Sequence, residues 1–209
     1  MEGTVGNPEP QTRDRIFSSA LKLFAERGQA SVSMREIAEN ANVSKPMLYY
    51  YFDSKSGLIH QLFREAIRSL QDGIERIDSQ MLSPAEKIAR IVGEVLTLAD
   101  EAREMHKFLV DLSTDPALVR EHIDDVHREF DPIRKVTARI IVEGQAQGAF
   151  RRDFDPEIAS TLLFGVTNMF IGMSMRTGKP ELTPELSRSL ADLVMNGFTG
   201  NTSLPVSVE

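Results

Sequence analysis

Ser33–Lys55, SMREIAENANVSKPMLYYYFDSK, carries two short helical patterns and the turn between them. Ser33 followed by Glu36 has the spacing of a capping box, so a helix is expected to begin there. Met34, Ile37, Ala38 and Ala41 then fall on one helical face. Asn40-Ala41-Asn42-Val43 interrupts the pattern with asparagines, which tolerate a left-handed backbone. Ser44 can cap a second helix, with Pro46 in the first turn, where a missing N–H does little harm. In that helix Leu48, Tyr51 and Phe52 point one way, and Tyr51 is expected in the core. Pro46, Met47, Tyr49 and Tyr50 point largely the other way, with Lys45 at the leading end. Asp53 is expected to stop this helix and open the next.

Two short helices joined by a tight turn make a helix-turn-helix, whose second helix offers its leading residues to a major groove. Tyrosine hydroxyls and the ammonium groups of Lys45 and Lys55 all donate to phosphate oxygens. The residues expected to meet double-stranded DNA are Arg35, Ser44, Lys45, Pro46, Met47, Tyr49, Tyr50 and Lys55. The plainer alternative is a helical hairpin with a tyrosine-rich core, since this geometry also occurs in proteins that bind no DNA. Against it, Tyr49 and Tyr50 cannot both be buried on a helix whose inner face Leu48 and Phe52 already hold.

The run Ile37-Ala38, Val43-Ser44, Leu48-Tyr49, Tyr51-Phe52, Ser54-Lys55 and Leu58 resembles the DNA-binding signature of the TetR family of bacterial regulators. Phe24-Ala25-Glu26-Arg27-Gly28 upstream is similar to that family too. The motif covers about the first quarter of the chain; beyond it the likeness is one of length and helical layout. Asn42 stands where family members usually carry Gly, and Pro46-Met47 where a small residue often stands. The resemblance implies a repressor, and dimerisation through the last two helices.

Composition sets bounds. The 209 residues are 41% hydrophobic and 26% charged, as in a soluble globular chain. With no cysteine there are no disulfides, thiolate metal sites or cysteine nucleophiles. No signal-peptide pattern is present, and a cytoplasmic protein is expected. Net charge is −7, but residues 1–55 hold seven basic and seven acidic side chains while the rest holds 17 against 24. That distribution argues against non-specific polyanion binding, not against one docked helix.

Residues 1–10 read as a loose arm and the tail from Thr199 as aperiodic. Ile16, Phe17, Ala20, Leu21, Leu23 and Phe24 mark a helix that Gly28 ends, which completes a three-helix head. A fourth helix keeps one stripe from Leu58 to Ile77. Ser83-Pro84, Asp115-Pro116, Asp131-Pro132, Asp155-Pro156 and Thr183-Pro184 each pair a capping residue with a first-turn proline. Pro132 either breaks its helix or kinks it. No period-two strand is found, so the fold is expected to be all-α with about nine helices. The expected domains are 1–55 for DNA binding and 56–209 for ligand binding and dimerisation. Ile158–Met175 is uncharged over 18 residues, and a helix covered on more than one side is expected rather than a membrane span. Phe170, Leu190 and Val194 are the expected dimer contacts on the last two helices.

No catalytic constellation, phosphate loop or metal set is found; His122 and His127 are five apart rather than the four that share a helical face. No enzymatic activity, cofactor or metal is expected. A pocket for an apolar or amphipathic effector is expected among Phe63, Met105, Phe108, Phe130, Phe164, Asn168 and Met169, although ordinary core packing accounts for each taken singly. The chain therefore reads as a homodimeric DNA-binding regulator released from a pseudo-palindromic operator by a small molecule. Its rival is a helical ligand-binding or interaction protein that does not bind DNA.

Overall fold

The computed structural model describes the chain from Pro10 to Thr199 except Asp115; side chains at residue 10, residues 112–127 and positions 194, 195 and 198 fall outside the description. The expected N-terminal arm and C-terminal tail lie outside the described residues, as do the side chains of His122 and His127. Among the described residues there are nine α-helices and no strand. They are α1 (Pro10–Arg27), α2 (Met34–Asn40), α3 (Lys45–Tyr51), α4 (Lys55–Asp78), α5 (Pro84–Glu101), α6 (Arg103–Thr114), α7 (Pro116–Ala146), α8 (Pro156–Thr177) and α9 (Pro184–Thr199). One compact unit takes the described residues up to Ala66 together with Arg103–Asp125. The other takes Ile67–Ala102 and the residues from Val126 onward.

In the first unit the expected caps do their work. Ser33 N–H donates to Glu36 Oε2 at 2.8 Å and Glu36 N–H to Ser33 Oγ at 3.2 Å, so the box is complete. Met34, Ile37, Ala38 and Ala41 are buried. Asn42 turns the chain with φ 52, the left-handed value that the motif calls for. Ser44 Oγ accepts from Met47 N–H at 3.3 Å and starts α3, whose Leu48 and the following Phe52 are buried. The Phe52 ring lies 5.3 Å from that of Phe17 on α1. Tyr51, expected in the core, is only half-buried. α4 opens one residue later than expected: Ser54, not Asp53, caps it, its Oγ accepting from Gly57 N–H at 3.0 Å.

α6 belongs to this unit despite its distance in sequence. It packs on α1, where the Phe24 and Phe108 rings stack 5.8 Å apart and the Lys107 ammonium donates to the Ala25 carbonyl near the end of α1. Those carbonyls have no further helical turn to accept from, so a cation there satisfies one of them.

The second unit is built on Ile74 and Ile77 of α4, the buried stripe Ile88-Ile91-Val92-Val95-Leu96-Ala99 of α5, Ile133, Ile140 and Ile141 of α7, and the inner faces of α8 and α9. Asp78 at the end of α4 accepts from Lys87 Nζ at 3.0 Å and from Arg139 at 2.6 Å, tying three helices together. Burial alone would raise that carboxyl, but the hydrogen bonds from Lys87 and Arg139 outweigh it and hold it below the usual range. Pro132 neither ends nor divides its helix: α7 runs from Pro116 to Ala146 across it. Proline removes one ladder hydrogen bond, while Asp131 just before it pairs with Arg134 and Lys135, both at 2.6 Å. Gly144 is required by packing, since a Cβ there would run into the Phe150 ring.

α8 starts at Asp155, whose carboxylate accepts from Glu157 N–H at 2.7 Å, and ends at Gly178 with φ 72. Ala159, Ser160, Leu163, Phe164, Thr167, Ile171, Gly172 and Ser174 form its buried face. The helix is not covered all round. Ile158 (69%), Leu162 (57%), Met169 (66%) and Met173 (46%) are exposed along the opposite side.

Candidate DNA interface

The outward face of α3 is apolar and aromatic with one cation. Met47 is 42% exposed, Tyr49 40% and Tyr50 63%, and Lys45 and Pro46 are exposed beside them. Lys45 Nζ lies 5.8 Å from the Tyr49 ring centroid, and the Tyr50 ring meets Tyr51 edge-on at 5.7 Å. An exposed apolar and aromatic cluster rimmed by polar residues is the kind of surface that marks an interaction site. The inner residues Leu48 and Phe52 hold the helix down, so these side chains are carried on a fixed support.

The surrounding charges are largely committed. Arg35 is exposed on α2 with its guanidinium on Glu39 at 2.7 Å. Arg27 meets Glu36 at 2.9 Å. The Glu36 carboxyl is lowered to about 2, first by the backbone N–H of Ser33, then by the Ser33 hydroxyl and Arg27. Lys55 was expected to face outward; it is half-buried, and burial pulls its ammonium below the ordinary lysine range, with Glu36 acting the other way. Ser44 is exposed, but its hydroxyl oxygen is engaged by Met47 N–H. Arg35, Ser44, Lys45, Pro46, Met47, Tyr49 and Tyr50 thus lie together on α2, α3 and the cap between them, and Lys55 stands partly withdrawn at the start of α4.

Residues 16–62 match the model of bacterial regulatory proteins of the tetR family, and residues 81–198 match a tetracyclin repressor-like C-terminal domain. The chain belongs to the TetR family. It is a DNA-binding transcriptional regulator, and its family is one of regulators rather than enzymes. Among curated relatives, the transcriptional repressor KstR2 of Mycolicibacterium smegmatis is 24% identical over 189 residues, 90% of each chain. Among solved structures, the fatty acid degradation regulator FadR of Bacillus halodurans superposes with a TM-score of 0.81 at 21% identity, over 91% of this chain and 97% of that one. FadR of Bacillus subtilis, solved in complex with stearoyl-CoA, gives 0.78 at 22% identity over 88% and 98%. At such identity these structures speak for the TetR fold alone.

The residues expected around an effector divide between the units. Phe63 and Phe108 are buried in the first, with Met105 half-buried there. In the second, Phe164 is buried and Phe130 half-buried. Asn168 and Met169 correct the expectation of an inward face: both are exposed, because the inner side of α8 is taken by Phe164, Thr167 and Ile171. A shallow groove lies elsewhere in this unit, at the connection from α8 to α9, lined by Met173, Thr177, Lys179, Pro180, Glu181 and Leu186.

The expected dimer contacts need a similar correction. Leu190 is only 4% exposed, since α9 packs that side against α5. Phe170 is half-buried, and the Val194 side chain lies outside the described residues. The free apolar residues are instead Ile158, Leu162, Met169 and Met173 on α8 and Leu193 on α9. Their spacing on α8, steps of four, seven and four, was a readable signal. It was hidden because both faces of the helix are uncharged from Ile158 to Met175 and Ser, Thr and Asn occur on each, so no charge marks which side faces out. α8 is also the one described helix long and apolar enough to cross a bilayer.

Proposed function

We propose that this TetR-family member is a repressor that binds a pseudo-palindromic operator as a homodimer and leaves it when an apolar or amphipathic small molecule binds. The observation that carries the reading is the exposed face of α3, with Met47, Tyr49 and Tyr50 presented around Lys45. In this reading residues 1–55 contact DNA through Arg35, Ser44, Lys45, Pro46, Met47, Tyr49, Tyr50 and Lys55, and residues 56–209 serve ligand binding and pairing, in the cytoplasm and away from membranes. The exposed stripe of α8 supports pairing: four large apolar side chains on one helix side are what a second copy would cover. Two heads then meet successive major grooves about 34 Å apart or somewhat more.

The effector we propose is an acyl-CoA or an amphiphile of similar build. Support comes from the stearoyl-CoA complex of the Bacillus subtilis relative and from buried aromatic residues within each unit, Phe63 and Phe108 in the first and Phe164 in the second. The ligand must bind the released state more tightly than the DNA-binding state, or nothing moves. A coupling of about 1–3 kcal/mol corresponds to roughly a 5- to 150-fold loss of operator affinity, and by reciprocity operator weakens ligand binding by the same factor. α4, which contributes residues to both units, is the element we propose carries the change.

The test uses the full chain and a duplex that it enriches from a random library. Fluorescence anisotropy should report tight, salt-sensitive binding that stearoyl-CoA reverses. An alanine substitution of Lys45, Tyr49 and Tyr50 together that keeps full affinity would sink the DNA-contact assignment. Ligand affinity unchanged by operator would sink the switch.

A further inference from the structure

We propose that α3 reads thymine methyl groups in the major groove, with Met47 as the reading side chain and Pro46 beside it. The proposal rests on the reading of α3 as the recognition helix. A major groove offers four base signatures: guanine is matched by Arg or Lys, adenine by Asn or Gln, cytosine by an acidic group, and thymine by apolar contact with its methyl. α3 is Lys-Pro-Met-Leu-Tyr-Tyr-Tyr and holds no Arg, Asn, Gln, Asp or Glu. Leu48 is fully buried and Tyr51 half-buried, so the outward set is Lys45, Pro46, Met47, Tyr49 and Tyr50.

The nearby guanidinium groups lie off α3, Arg27 on α1 and Arg35 on α2, and in this reading Arg35 serves a phosphate. Arg27 is held by Glu36 at 2.9 Å and Arg35 by Glu39 at 2.7 Å. Lys45 remains as the one cation of α3, able to reach guanine or a phosphate, and tyrosine hydroxyls suit phosphate oxygens. Beyond Lys45, what α3 has left to tell base pairs apart is apolar. Met47 is 42% exposed, and its unbranched, polarisable thioether adapts to a small apolar target. A thymine methyl is the one apolar group that a base pair displays in that groove. The operator half-site should therefore hold a thymine opposite Met47.

The experiment starts from a duplex enriched by the full-length chain from a random library. Each thymidine is replaced in turn by deoxyuridine, which deletes only the methyl. Wild-type affinity should fall about fourfold at one or more positions of each half-site, the loss that burying a single methyl implies. Met47→Ala should bind the thymidine duplex more weakly and be indifferent to deoxyuridine at those positions, whereas Met47→Leu should keep the dependence. Met47 is exposed, and an unchanged melting temperature in both variants would establish that folding is intact. Uracil that is neutral everywhere, or equally costly in a variant with both Pro46→Ala and Met47→Ala, overturns methyl reading and leaves DNA binding standing. No enrichment of any sequence overturns the reading of α3 itself.

Discussion

Asn42 shows how one residue holds the motif together. At φ 52 its backbone lies where a side chain without local hydrogen bonding is strained by about 1–2 kcal/mol. Asn42→Gly should keep the turn and hold or slightly raise stability. Asn42→Ala should lower it by about 1 kcal/mol, read from the shift of a urea midpoint at unchanged slope. Glu36 supplies a pH signature. Its carboxyl is lowered from the ordinary 4.5 to about 2, so the ionised form is the one the fold stabilises. A group with a depressed folded value contributes fully above its unfolded value and loses that contribution as pH falls through the folded one. Head stability should therefore decline between about pH 4.5 and 2, and Glu36→Gln should flatten that part of the profile in a series of thermal melts.

At the scale of elements, α6 is the least obvious member of the head. Phe108 is 2% exposed and stacked on Phe24, so Phe108→Ala should cost about 3–5 kcal/mol. Hydrogen exchange should show the amides of α1 losing protection first. The two caps of the helix-turn-helix, the burial of Ile37, Leu48 and Phe52, and the exposure of Tyr49 and Tyr50 were legible in the sequence, because capping and helical spacing are local. What was not legible depends on partners remote in sequence. Lys55 is half-buried beside a turn, and no local pattern could say so. Leu190 and Met169 are both apolar residues on amphipathic or uncharged helices; only the packing of α9 on α5, and of α8 through Phe164 and Ile171, decides that the first is inside and the second outside. Pro132 stayed ambiguous because a proline after Asp serves equally as a helix start and as an interior residue.

For the molecule as a whole, the exposed side of α8 makes the clearest prediction. Leu162→Glu with Met169→Glu should leave each chain folded, since neither side chain is buried, yet sedimentation should find monomers at micromolar concentration. Those monomers should lose specific operator binding, because a single head contacts too few bases and phosphates. A native chain that sediments as a monomer would contradict pairing outright. Lys45→Ala should weaken binding to all duplexes and reduce the salt slope by about one phosphate contact. The same change at half-buried Lys55 should cost stability as well, visible as a lower melting temperature.

The uncovered stripe from Ile158 to Met173 also has a bearing on the cell. If pairing is what covers it, the regulator is assembled by a second-order reaction, and at low copy number most chains are single. Paired protein then rises with the square of chain number, so a twofold increase in gene dosage gives about a fourfold increase in the active form. Dilution at cell division acts with the same exponent in the other direction. A promoter under such control would respond to small drifts in synthesis or degradation of the chain, in addition to any small molecule, and the range of chain concentrations over which it does so would be set by four side chains on one helix.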